Sequence, residues 1–145
     1  MKSQTIGVLS FHGDVIEHIH ATQLAAKNLK LDVVVRAVRT KEDLINLKGL
    51  IIPGGESTTL HTLCIREGMF DGMKTIPCIF GTCAGAILLA KQVLHKAPAQ
   101  QTLELMDITV DRNAYGSQTE SFEKNIRSVL GPVSAIFVRA PNIQR

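Results

Sequence analysis

Short apolar, β-branched runs alternate with helix-compatible segments along most of this 145-residue chain, with neither repeats nor low-complexity stretches. That alternation predicts an α/β fold: a mostly parallel sheet in three layers with helices on both faces, flavodoxin-like in outline. A third observation is positional. His12-Gly13, Gly54-Gly55 and Cys83 all fall at the carboxyl ends of predicted strands, where sheets of this class place their sites.

Thr5 to Phe11 is a β-branched and apolar run that stops at His12-Gly13. Asp14 is placed to cap a helix through about Asn28, with Val15, Ile16, Ile19 and Leu24 as its apolar stripe. Leu31 to Val38 is valine-rich and reads as a buried strand. Thr40 to Leu47 reads as one short helix opened by a Thr40/Asp43 pair that resembles a capping box. Leu50 to Ile52 is a third strand, ended by Pro53-Gly54-Gly55; Ser57 then caps a helix to about Glu67, with Gly68 as its stop. Ile76 to Phe80 is a strand, and a helix begins just after Cys83 and is expected to continue towards His95. Beyond Pro98, Met106 to Arg112, Ser117 to Phe122 and Val133 to Val138 read as strands joined by turns.

The size sets one domain, residues 1–145, and 45% hydrophobic content is enough for a core. A net charge of +3 comes from scattered Lys and Arg, and only 4% of residues are aromatic. Neither a nucleic-acid surface nor a set of base-stacking platforms follows. No apolar segment spans a bilayer and no secretory leader stands at the N-terminus, so no membrane partner is expected. Cys64, Cys78 and Cys83 make neither a disulfide framework nor a zinc spacing. A reducing, cytoplasmic location is expected, with no metal and no cofactor.

The chemistry concentrates in Gly81-Thr82-Cys83-Ala84-Gly85. Strand, Gly-x-Cys-x-Gly, helix is the pattern of a nucleophile elbow with cysteine as the nucleophile. A side chain on such a turn sits on strained backbone, and its neighbours must be small for the turn to close. The helix that follows aims its free N–H groups at the sulfur. Pro53-Gly54-Gly55-Glu56-Ser57-Thr58-Thr59 is a second candidate. Its glycines allow a close backbone approach, and an N–H of Gly54 or Gly55 beside that of Ala84 would form an oxyanion hole. Arg112, in Arg112-Asn113-Ala114-Tyr115-Gly116, offers a fork for a carboxylate, and Arg139 follows the strand that ends at Val138.

These segments, GVLSFHGDVIEH, LIIPGGESTTL, IFGTCAGAILLA, DRNAYGSQTESFE and FVRAP in this order, resemble the glutaminase subunits of pyridoxal 5'-phosphate synthase. Those are class I, triad-type glutamine amidotransferases, and the similarity runs over nearly the whole chain. The resemblance implies hydrolysis of L-glutamine to glutamate and ammonia. The ammonia would pass to a synthase subunit, the partner in a hetero-oligomer, which makes the vitamin B6 cofactor from a pentose phosphate and a triose phosphate. It implies Cys83 as nucleophile, a glutamine pocket lined by Gly55, Glu56, Ser57, Arg112, Val138 and Arg139, and Gly54 and Ala84 as oxyanion-hole donors.

Two departures from that family's pattern stand out. His12 occupies a loop position where the family usually has glutamine. The family's pattern also continues beyond the FVRAP segment to a His-Pro-Glu motif that completes the triad, whereas this sequence ends at Arg145 without one. Residues 1–145 are therefore expected to be a C-terminally truncated domain, inactive by themselves. His95 is expected at the far end of the helix after Cys83, and His18, His20 and His61 on helices away from the sulfur. Only His12 lies on the right rim of the sheet, and nothing is placed to orient it as a base. The alternatives are an inactive scaffold or regulatory homologue that binds the synthase, and a cysteine-elbow peptidase or deglycase. The second gives no reason for the GGES or RNAYG segments.

Overall fold

The computed structural model describes residues 3–144. Four strands, β1 (Gln4–Leu9), β2 (Val33–Val38), β3 (Gly49–Ile52) and β4 (Ile79–Gly81), form one sheet in the order β2-β1-β3-β4. Every pairing in it is parallel. Helix α1 (Val15–Asn28) links β1 to β2, while α2 (Ser57–Arg66) and α3 (Phe70–Met73) lie between β3 and β4. These two crossovers run in opposite directions along the sheet, so right-handed connections put α1 on one face and α2 and α3 on the other. The predicted α/β sheet is the one observed. Its core lies where Leu9, Leu50 and Ile52 meet Leu60 of α2, Met69 and Met73, all fully buried.

After β4 the chain enters a short helix, α4 (Ala84–Leu89), and then a strand, β5 (Ala90–Leu94), rather than a longer helix reaching His95. The reason is tertiary. The carbonyls of Leu88 and Leu89, which a continuing helix would use, accept hydrogen bonds from the N–H groups of Leu103 and Leu105 at 2.7 and 3.0 Å. Ala90 instead begins a parallel ladder with β6 (Met106–Asp111). A hairpin of β7 (Phe122–Ser128) and β8 (Gly131–Phe137) follows, and β9 (Asn142–Gln144) returns antiparallel to β6.

Other expectations shift for identifiable reasons. Of β2 only Val38 is buried, because β2 is the edge of its sheet. No residue of α1 is buried, and Ile16 and Leu24 are exposed. Its inward stripe is half-buried Val15, His18, Ile19, Thr22 and Ala26, which follow helical spacing. Thr40 to Leu47 holds only a 3-10 turn at Glu42–Leu44, although Asp43 does reach back to the Thr40 N–H at 2.9 Å. Ser117 to Phe122 is not a strand. Glu120 accepts from the Ser117 N–H at 2.7 Å and folds Gln118–Glu120 into a 3-10 turn, so β7 starts at Phe122.

Candidate active site

The elbow closes because two glycines leave no gap. A Cβ on Gly81 would strike the carbonyl carbon of Gly85, and a Cβ on Gly85 would overlap the carbonyl oxygen of Ile52 in β3. That oxygen also accepts the Thr82 N–H at 3.1 Å. Held this tightly, Cys83 takes φ 48 and ψ −105, a positive-φ conformation that L side chains rarely adopt. Such strain persists only where the surroundings over-determine it. Cys83 is half-buried, α4 starts at the next residue, and the Ala84 N–H has no acceptor within that helix.

The loop after β3 lies beside it. A Cβ on Gly54 would stand 3.4 Å from the Cys83 Cβ, so the two loops lie within van der Waals reach of each other. The Gly54 N–H donates to Asp14 Oδ1 at 3.0 Å. Asp14 is thus not the helix cap expected of it, since its carboxylate makes no capping bond to α1. Its other oxygen lies 3.3 Å from His18 Nε2, which is 3.1 Å from Thr82 Oγ1, the residue before the nucleophile. The His12 ring lies over Gly55, whose φ of 135 places it where a side chain would be strained, and His12 Nε2 is buried without a hydrogen-bond partner among the described residues.

Capping of α2 differs from expectation. Glu56, not Ser57, is the cap residue, accepting from the N–H groups of Thr58 at 3.0 Å and Thr59 at 2.7 Å. Burial pushes the Glu56 pKa up, but those bonds outweigh it and hold it down at about 2. The charged carboxylate then pairs with Arg112, Nη2 to Oε1 at 3.1 Å. Arg112 Nη1 donates to Gln100 Oε1 at 3.0 Å and to Thr58 Oγ1 at 3.3 Å. Ser57 is buried at the first helical position.

One cleft of about 710 Å³ gathers these groups. Cys83, Gly54, Gly55, Glu56, Ser57, Arg112, Val138 and Arg139 all line it; Ala84 does not, being fully buried behind Cys83. The cleft wall also takes Asp14, Asn113 and Phe137, none of them anticipated as site residues. Arg139, at φ 47, is held on positive-φ backbone two residues after the end of β8.

None of the five histidines is hydrogen-bonded to Cys83 among the described residues. His61 is buried on α2. It accepts the Gln101 N–H at 3.3 Å and packs edge-on against Phe70, and burial lowers its pKa. His95 follows β5 and pairs with Asp111 at 3.1 Å. Cys64 is fully buried and its thiol is pushed up to about 12, an inert state. Cys78, expected inside the strand, lies just before β4 and is exposed. Among the described residues no cluster of three or more His, Cys, Asp or Glu could hold a metal, and no helix is long and apolar enough to cross a membrane.

The sequence profile of the SNO glutamine amidotransferase family fits residues 8–145. The chain belongs to this family. It is 45% identical, over 95% of its length and 73% of the relative's, to the pyridoxal 5'-phosphate synthase subunit PdxT of Pyrococcus furiosus. Identity to the subunit of the same name from Pseudothermotoga lettingae is 50%, over 96% of this chain and 71% of that one. A crystal structure of a glutamine amidotransferase superposes with a TM-score of 0.79 at 41% identity, covering 97% of this chain and 74% of its own. This family membership agrees with the amidotransferase resemblance of the sequence.

Proposed function

We propose that this SNO-family chain is a cytoplasmic glutaminase that hydrolyses L-glutamine and hands the ammonia to a pyridoxal 5'-phosphate synthase subunit. The observation that carries the proposal is Cys83, held at φ 48 in a cleft that also presents Arg112 and Glu56. Strain of this kind has a use in presenting a nucleophile and none in a passive scaffold. The PdxT relatives, named as synthase subunits, support the partner.

In this reading the Cys83 sulfur attacks the side-chain amide carbon of glutamine, forming a C–S bond. The C–N bond breaks and the nitrogen leaves as ammonia, carrying the proton that the thiol gave up. Water then hydrolyses the thioester, releasing glutamate and restoring the thiol. Arg112 grips the α-carboxylate, while Gly55, Glu56, Ser57, Val138 and Arg139 form the wall around the substrate. The oxyanion would take the Ala84 N–H and that of Gly54, which must first leave Asp14.

The chain supplies the nucleophile and the binding wall, and among the described residues no histidine is hydrogen-bonded to the sulfur. A triad lacking one member typically loses about ten-thousandfold or more in turnover. Glutamate release by residues 1–145 with the synthase subunit added tests this. Turnover lower by that factor than that of a PdxT relative, yet abolished by Cys83→Ala, supports the reading; turnover no different from that of Cys83→Ala would remove it, and turnover equal to the relative's would mean a base lies within this chain. His12→Ala and His18→Ala would then locate that base.

A further inference from the structure

Gln100 was not singled out by any motif, yet it is 3% exposed and its amide bridges two residues of the cleft. Its Oε1 accepts from Arg112 Nη1 at 3.0 Å, and its Nε2 donates to Ser57 Oγ at 3.1 Å. The chemistry fixes this orientation. A guanidinium only donates, so the amide oxygen must face Arg112 and the NH2 must face Ser57. Having accepted that bond, the Ser57 hydroxyl keeps its own proton for another acceptor. The segment that carries Gln100 is stitched down on both sides. Gln101 N–H bonds to His61 Nε2 at 3.3 Å, Gln100 N–H to Ala97 O at 3.1 Å, and Leu103 N–H to Leu88 O at 2.7 Å.

We infer that Gln100 is a positioning residue for substrate recognition. It holds the Arg112 guanidinium towards the cleft and sets Ser57 as a donor, so that both are aimed before the amino-acid end of the substrate arrives. The inference rests on the glutamine-site reading above and deepens it. Glu56 and Thr58 supply the other anchors of Arg112. Among the described residues Gln100 alone links the arginine to Ser57, through a buried neutral amide that adds no second negative charge to the one Glu56 supplies. A hydrogen bond to a charged group is a strong one, and an arginine freed of it loses preorganisation for a two-pronged carboxylate contact.

The test uses the protein together with its synthase subunit, and Gln100→Ala, Gln100→Met and Arg112→Ala variants. Methionine fills nearly the volume of glutamine without its hydrogen bonds, so it reports on the contacts even if alanine weakens the fold. Both Gln100 variants are expected to raise the KM for glutamine about tenfold with kcat within about twofold. Adding Arg112→Ala to Gln100→Met is expected to do no further harm than Arg112→Ala alone. A second readout needs no turnover. Alkylation of Cys83 by a diazoketone analogue of glutamine, which carries the α-carboxylate, should slow about tenfold, while alkylation by iodoacetamide, which has none, should not change. Equal slowing of both reagents, or an unchanged KM, overturns the inference. Slowing by Arg112→Ala without slowing by Gln100→Met removes Gln100 only. No effect of Arg112→Ala would remove the glutamine-site reading itself.

Discussion

Replacing Gly85 by alanine should damage the site more than its single added methyl suggests. In the structure a Cβ there overlaps the Ile52 carbonyl oxygen, which is backbone of a central strand and holds the Thr82 N–H at 3.1 Å. Either α4 backs away from β3 or that hydrogen bond breaks. Overpacking of this kind costs about 1–3 kcal/mol, and a lost backbone bond about 1 kcal/mol. Alanine returns about 1 kcal/mol of helix propensity, leaving a net loss of about 1–3 kcal/mol. For a chain of this size that lowers Tm by about 4–12 °C. The effect on Cys83 should be larger, because a displacement of about 1 Å at a reacting group costs on the order of a hundredfold in rate. Calorimetry gives the first quantity, and the rate of Cys83 labelling by a glutamine-analogue electrophile gives the second. Gly68→Ala is the control: Gly68 has φ +63 but nothing within 4 Å of its added Cβ. It should lose about 1 kcal/mol from backbone strain and label at the normal rate. If Gly85→Ala labels as fast as the unmodified protein, the tight closure of the elbow is not what presents the nucleophile.

In an intact protein, the same glutamine-analogue electrophile should modify Cys83 in preference to exposed Cys78 and leave buried Cys64 untouched, as peptide mass spectrometry would show. Labelling chiefly at Cys78 would sink the elbow assignment. Arg112→Lys keeps the charge but cannot span Glu56, Thr58 and Gln100 with one planar fork. It should raise the KM for glutamine about tenfold, and an unchanged KM would make Arg112 structural. The carboxylate of Glu56, held at about 2 against an ordinary 4.5, stabilises the folded protein above pH 4.5, a contribution lost as pH falls towards 2. Asp43 and Asp111 are also held low, so the quantity to follow is the difference between unmodified protein and Glu56→Gln in urea melts across that window. That difference should shrink as pH drops, and a constant difference refutes the role of the Glu56 charge.

What could be read from the sequence was local. The elbow is written within five residues, and its two glycines are required by contacts that any strand-to-helix turn of this tightness would make. The alternation of apolar runs was likewise enough for the parallel sheet, since each run is a contiguous segment. What could not be read was joined across the chain. Gln100 bonds to Ser57 at a separation of 43 residues, and Asp14 to Gly54 at 40. No periodicity carries such pairs. The strand at Ala90–Leu94 fails for the same reason, because its partners lie in β6 and its residues alone favour a helix.

Asp14 and Glu56 show where the limit lies. Each is a carboxylate at the cap position of a helix, and sequence favours the aspartate as the better cap. The structure reverses the ranking through backbone geometry. Glu56 is extended, at φ −99 and ψ 116, which aims its longer side chain back over the first turn, within reach of Thr58 and Thr59. Asp14 stands at φ −81 and ψ 48, outside the extended region a capping residue adopts, and its carboxylate turns to the Gly54 N–H instead. The loop after β1 is bent there by contact with the loop after β3, where Gly13 leaves just enough room for the Gly54 carbonyl. Two residues with nearly the same chemistry are thus put to different uses, one to brace an arginine and one to hold an N–H beside the nucleophile. Packing between the strand ends decides which is which.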